Sequence, residues 1–389
     1  MNVLIVGSSG YATYYIDLFK TRTMENASLC AVVDPFADKS PHLDWMRSIN
    51  LPVYQTLEEF YEKGEGADLV IICSPIQFHL SQCRTALKNG SAVLCEKPLC
   101  AEAEGARELQ ELQIETGIPL GVGFQWSFSN TMNKLKKDIL GGVLGKPLIM
   151  KSFASMKRSN SYYEASSWKG RITDRQGNMI MDSIIMNASS HYLHNILFVL
   201  GSEMDTAAMP EKIHCSTYRA RDIQSFDTCF LEGEFDNGCK LIFCASHVAE
   251  KDLHPSFSYI FEKAVVTFDG GADDDVTAVF SDGTVKKYGK PQSSDECYRK
   301  FFAMLEVLEG GGAPVCTVKT IMPHLLVCKA ITEDITVSDF PDSAIIIEDS
   351  PPSLHAEGLL DAMEVFYKSG ADPRSQGAAW GAEPVTISL

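Results

Sequence analysis

The sequence predicts an α/β chain: a doubly wound Rossmann domain with a parallel sheet, followed by an α+β domain with a large, mostly antiparallel open sheet. Three observations predict it. Short apolar runs alternate with helical patterns over residues 1–123. The rhythm changes after Phe124, where a strand-rich region begins. A glycine-bearing loop, Gly7-Ser8-Ser9-Gly10-Tyr11-Ala12, separates the first strand from the first helix.

The runs at 3–6, 29–33, 69–73, 92–95 and 120–124 are apolar throughout, as strands buried on both faces are. Between them, helical periodicity covers 11–20, 57–63, 77–89 and 102–116, and Asn89-Gly90 supplies a left-handed stop. Right-handed βαβ crossovers then build one parallel sheet. In the second region, helices over 129–139 and 179–200 bracket a strand at 148–156. Strands follow at 213–218, 228–234, 240–247, 257–262, 265–268, 276–280 and 284–288. Asp236-Asn237-Gly238 and Asp282-Gly283 mark hairpin turns. Helices over 295–308 and 317–336 complete the region, and a last strand and tail begin near residue 345. The expected organisation is 1–123, 124–345 and a C-terminal extension, 346–389, packed on the domains.

Composition narrows the partners. The net charge is −17, which repels nucleic-acid backbones and anionic membranes. No run approaches the roughly 18 apolar residues of a membrane helix. Strand residues follow Met1 with no basic leader, so a cytoplasmic protein is expected. The 12 cysteines include no C-x-x-C pair and read as reduced, mostly buried thiols. Asp269, Asp273, Asp274 and Asp275 lack calcium-loop spacing and read as a solvated turn, so no metal is expected.

The chemistry-bearing residues cluster at predicted strand ends. In the first loop, Gly7 allows the tight turn, Ser9 is small enough for a pyrophosphate to approach, and Ala12 lets the helix pack. The loop residues Ser8, Gly10 and Tyr11 would face the same phosphate at a helix N-terminus. Asp34, ending the second strand, suits the ribose hydroxyls of NAD and would repel the 2′-phosphate of NADP; a turn or cap aspartate is the alternative. Ser74, Pro75, Gln77 and His79 follow the third strand as cofactor contacts, although Ser74 also suits a helix cap. Gln125 follows the fifth strand and is a further cofactor candidate. Cys95-Glu96-Lys97-Pro98 follows the fourth. A cation at Lys97 can lower a substrate hydroxyl's pKa and stabilise an alkoxide, where a plain loop lysine would do nothing.

In the second region, Asn187, His191 and His194 fall at i, i+4 and i+7 of a predicted helix. His191 is a candidate general base. A zinc site and a buried histidine pair are the alternatives. Trp126, Tyr162, Tyr163 and Trp168 can stack on a sugar face or belong to the core.

Taken in order, the Gly7 loop, Ser74-Pro75 with His79, Glu96-Lys97-Pro98 and Asn187 to His191 resemble the Gfo/Idh/MocA oxidoreductases, the glucose–fructose oxidoreductase and inositol dehydrogenase family. Trp168-Lys169, Gly177 and Leu200-Gly201 fit as well, so the resemblance covers about residues 1–340. It implies an NAD-dependent dehydrogenase acting on a sugar, cyclitol or glycoside, assembled as a dimer or tetramer. It places Glu96 and Lys97 near the nicotinamide ribose, and Lys97, Asn187 and His191 where the family keeps Lys, Asp and His. Trp126, Tyr163, Trp168 and His194 would join them around the substrate. Asn187 departs from the pattern because it cannot take a proton, and Asp182 is the alternative acid if the register shifts. Some members of the family use NAD for transient oxidation without net redox change. A non-catalytic NAD or sugar sensor is the other alternative.

Overall fold

A computed structural model describes residues 1–349 and 352–389, so residues 350–351 of the expected extension lie outside the description. The chain forms two compact units. The first is Met1–Phe124 with Tyr298–Lys319, and the second is Gln125–Cys297 with Thr320–Leu389.

The first unit alternates as expected: β1 (Asn2–Val6), α1 (Ala12–Thr21), β2 (Ser28–Val33), α2 (Leu43–Ser48), β3 (Val53–Tyr54), α3 (Leu57–Glu62), β4 (Leu69–Ile72), α4 (Ile76–Lys88), β5 (Ala92–Cys95), α5 (Ala103–Thr116) and β6 (Leu120–Val122). The sheet is wholly parallel in the order β3-β2-β1-β4-β5-β6. The order reverses between β1 and β4, and the carboxyl ends of strands at such a point open a ligand crevice. The two-residue β3 and six-residue α2 carry too little periodicity to be read in advance. Val3, Ile5, Ile16, Ile71 and Leu94 form one core with Phe301, Met304 and Leu305. Residues 298–319 therefore belong with the first unit and not, as expected, inside a 124–345 domain. Their apolar face is covered by this core, and only three-dimensional packing decides that.

The second unit opens with α6 (Gln125–Phe128), α7 (Asn130–Leu140), β7 (Pro147–Ser155), α8 (Asn160–Glu164) and α9 (Ser190–Val199). Seven strands follow: β8 (Lys212–Arg219), β9 (Thr228–Glu234), β10 (Lys240–Ser246), β11 (Ser256–Phe261), β12 (Ala264–Phe268), β13 (Val276–Phe280) and β14 (Val285–Gly289). After α10 (Ser294–Leu308) and α11 (Val318–Asp334) come β15 (Ser338–Asp339), β16 (Ile345–Asp349), β17 (Pro352–Ala356), α12 (Leu359–Ser369) and β18 (Val385–Ser388). The large sheet runs β14-β13-β12-β11-β7-β10-β9-β8-β15, with β18 beside β8. Among the described residues of this sheet, only β7–β10 and β8–β15 pair in parallel.

Two expectations are corrected here. The helix expected over 179–200 begins only at Ser190. Met181 takes a left-handed φ of 53° and Thr173 bridges Met179, so the chain is still in a loop there. The expected tail also holds a full helix. In α12, Leu359, Leu360, Met363 and Phe366 recur at helical spacing and bury against Phe153, Phe230 and Cys244. No helix among the described residues is long and apolar enough to cross a membrane.

Candidate functional site

In the first unit, Gly7 sits at the switch point with φ 100°, its amide donating to Val33 O at 2.8 Å. A Cβ there would stand 3.3 Å from the Cys73 carbonyl, so only glycine holds the loop this close to the end of β4. Ser8 is buried and its hydroxyl donates to Asp34 Oδ2 at 2.5 Å, while the Phe36 amide donates to Asp34 Oδ1 at 2.8 Å. Ser9 and Gly10 are exposed, and Ala12 is buried under them. Helix α1 has no side-chain cap and no acidic residue in its first turn, so its positive end is available to an outside anion. Helix α4 likewise starts without a side-chain cap, at Pro75. The amide oxygen of Gln77, in its first turn, is buried without a hydrogen-bond partner. The uncapped α1 start suits a pyrophosphate, and Asp34 retains lone pairs for a ribose diol. The residues present fit NAD.

Three expected cofactor contacts have other employment. His79 is buried, with Nδ1 at 2.8 Å from Pro98 O and Nε2 at 2.7 Å from Ser74 O. It ties the β4 loop to the β5 loop and is not turned toward a ligand. The Ser74 hydroxyl donates to Gln82 Oε1 at 2.5 Å. Glu96 is buried, and its Oε1 accepts from Tyr15 Oη at 2.6 Å and from Lys300 Nζ at 2.5 Å. Lys300 also donates to Tyr11 Oη at 3.2 Å and Gly123 O at 3.3 Å. Burial alone would lower the Lys300 ammonium, but the Glu96 charge and the Tyr11 hydroxyl more than offset it and hold it above its ordinary value. Burial, and then the charge of Glu96, pushes the Tyr15 phenol well up. Lys97, the next residue, is half-buried at the carboxyl end of β5.

Sequence reasoning missed Lys300. The signal was present: Lys300 lies on the same stripe of α10 as Phe301, Met304 and Leu305, so a lone cation occupies an apolar face.

In the second unit, Asn187 precedes α9 in a turn, so the expected shared helical face with His191 and His194 does not form. Its amide instead donates to Asp182 Oδ1 at 2.8 Å, and the Gly170 amide donates to Asp182 Oδ2 at 2.6 Å. The structure thus brings the two alternative acid positions together on one buried carboxylate. His191 is half-buried in the first turn of α9. His194 is interior, with Nε2 at 3.0 Å from Ser127 Oγ and its ring against Phe198 and His324. Trp126 is a core residue, edge-on to Tyr192, Phe257 and Phe268. Gln125 opens α6 beside it, and Trp168 is half-buried in the loop before Asp182. A cleft gathers Tyr162, Tyr163, Asp182, Asn187 and His247, with Tyr163 Oη 2.7 Å from His247 Nδ1. Tyr163 was expected there; His247 was not, because a strand-end histidine carries no local signature.

The buried histidines make the fold sensitive to acid. Burial, with His324 and Lys136 nearby, pushes His194 well below the ordinary imidazole value. Burial, with Arg158 and Arg221 nearby, does the same to His247. Unfolded, each takes a proton as pH falls through about 6.5, so below that pH the unfolded chain binds more protons and stability falls. Asp227 opposes this. Burial raises its carboxyl from 3.8 to about 6, so the folded chain takes up a proton there first. About one net proton, two histidines less the Asp227 uptake, corresponds to a loss of about 1.4 kcal/mol per pH unit below pH 6.5. Urea unfolding at pH 7.0 and 5.5 checks it: the midpoint at 5.5 is expected to be the lower, and equal midpoints would contradict the assignment.

Comparisons with known proteins agree with this architecture. Residues 1–124 match the model of an oxidoreductase family described by its NAD-binding Rossmann fold, Gfo/Idh/MocA. An inositol 2-dehydrogenase of Corynebacterium glutamicum is 28% identical over 177 residues, 45% of this chain and 50% of that protein. A scyllo-inositol 2-dehydrogenase (NAD(+)) of Bacillus subtilis is 31% identical over 153 residues, 39% of this chain and 43% of that protein. The alignments thus span about half the length of these curated relatives, or less. The WlbA dehydrogenase of Bordetella pertussis, solved with NADH and UDP-GlcNAcA, shares the fold with a TM-score of 0.67 at 19% identity, over 85% of this chain and 95% of that one. Residues 1–124 thus match the same family of NAD-binding oxidoreductases, Gfo/Idh/MocA, that the motifs resemble.

Proposed function

We propose that this protein is an NAD-dependent dehydrogenase that transfers hydride between nicotinamide and a carbon bearing a secondary hydroxyl on a sugar, cyclitol or glycoside. The observation that carries the reading is Lys97, half-buried at the carboxyl end of β5, in the unit that holds the Gly7 loop and Asp34. NAD, when bound, supplies the hydride acceptor. Residues 7–11 and the start of α1 would hold its pyrophosphate, and Asp34 its ribose. The Lys97 ammonium would donate a hydrogen bond to the substrate hydroxyl oxygen and stabilise it as its proton leaves. His191 is the proposed base, taking that proton on a ring nitrogen. Asn187 can take none, so its part is to orient, and Asp182 is the ionisable group it holds. The inositol dehydrogenase relatives support a polyol substrate.

A screen of polyols, sugars and glycosides, followed at 340 nm, tests this. NADH is expected to form with at least one of them, at least about tenfold faster than NADPH, since Asp34 would repel a 2′-phosphate. No absorbance change with any polyol, from protein that binds NAD, would sink the dehydrogenase reading.

A further inference from the structure

The segment after β7 assembles positive charge in a chain whose net charge is −17. Arg158, Lys169, Arg171 and Arg221 lie in the second unit. Of these four, only Arg221 has a carboxylate within 4 Å among the described residues, Asp227 at 3.8 Å. The Lys169 ammonium lies 4.0 Å from the centroid of the Tyr162 ring, and the Arg158 guanidinium lies 5.2 Å from the same ring. Arg221 lies 5.1 Å from the Tyr163 ring, and its side chain is 8% exposed. Nε of Arg158 and both Nε and Nη1 of Arg221 are buried without a hydrogen-bond partner, as is Nε2 of His247.

Like charges gathered in a half-buried site repel, and buried donors left unpaired cost free energy. Such an arrangement points to an outside anion. The room for one lies beside Lys169 and Arg171; Arg158, Arg221 and His247 do not line it. A cavity of about 550 Å³ is lined by Tyr163, Lys169, Gly170, Arg171 and Arg219. That lies within the roughly 300–1,000 Å³ of small-molecule sites. Glu164 and Asp222 also line it, but Arg219 is already committed to Asp339, at 2.6 Å. The adjoining crevice shares Tyr163 and Gly170 and is also lined by Asp182, Asn187 and His247, but it is too tight to admit a water. The Asp182 carboxylate accepts from Gly170 and Asn187, and its charge also favours the Lys169 ammonium, although burial still lowers Lys169 below its ordinary value.

We propose that this cavity binds an anionic carbohydrate, whose carboxylate or phosphate pairs with Lys169 and Arg171. The proposal rests on the polyol-dehydrogenase reading and narrows its substrate class to charged sugars.

Calorimetric titration of the full chain with D-glucose, D-glucuronate and D-glucose 6-phosphate tests it without any turnover. At least one anion is expected to bind tenfold or more tightly than glucose, with the advantage shrinking as salt rises. The tighter of the two anions identifies carboxylate or phosphate as the recognised group. Lys169→Met is expected to remove that advantage at an unchanged melting temperature. Lys88→Met, which removes the same charge from the exposed end of α4, is expected to leave it intact. Equal affinity for all three sugars, no binding by any, or an advantage that survives both Lys169→Met and Arg171→Met would overturn the proposal. Failure of the dehydrogenase reading looks different: the anion binds, but no NADH forms from any polyol.

Discussion

Replacing Lys300 with methionine is expected to destabilise the protein by about 3–5 kcal/mol, because it strands a buried carboxylate. Methionine keeps most of the side-chain volume, so the loss is electrostatic rather than a cavity. Lys300 is 1% exposed and is the cation on Glu96, which would keep only the Tyr15 hydroxyl. Spread over a cooperative unit of this size, the loss lowers the melting temperature by about 10 °C. The double variant Lys300→Met with Glu96→Leu is expected to recover most of it, since replacing a whole buried pair by apolar groups is often neutral. Thermal unfolding of the two variants distinguishes the outcomes. A single-variant loss below about 1 kcal/mol would mean that Glu96 reaches water or another partner. The same pair touches Tyr11 in the glycine loop and adjoins Lys97, so the Kd for NAD is expected to rise in whatever folded Lys300→Met protein survives.

Lys97→Ala is expected to lower kcat by about 100- to 1,000-fold, the usual cost of losing one donor to a developing oxyanion. The Kd for NAD should stay within about threefold, because the pyrophosphate and adenosine ribose are assigned to the loop at Gly7 and to Asp34. Lys97→Arg is not expected to rescue the rate, since a planar fork does not replace a compact ammonium. Steady-state rates with the best polyol from the 340 nm screen, alongside NAD titration, measure both. A fall of less than tenfold in kcat would remove Lys97 from the chemistry and leave it a loop residue.

The first unit was legible because its strands are buried on both faces and read as unbroken apolar runs, as at 69–72 and 92–95. The loop at Gly7 was legible for a related reason: the close approach to Cys73 demands a residue type, and the type is visible. The stretch 179–189 misled because its apolar residues, Met179 to Met186, mimic a helical stripe. All but Met179 are buried, in a loop tied back by the Gly170 amide on Asp182.

By itself, the sequence determined what periodicity and residue type encode locally. This covers the Rossmann alternation, the glycine loop, Asp34 at a strand end, and the change to an antiparallel sheet. Tertiary structure alone decided the rest, because those features depend on pairs far apart in the chain. Glu96 looked like a ligand contact until Lys300, 204 residues on, took its carboxylate. His79 looked like another until two loop carbonyls took its ring. Asn187 looked like a degraded acid until it proved to hold Asp182. In each case a polar side chain was legible as chemistry, and burial beside a remote partner determined which chemistry it was free to do.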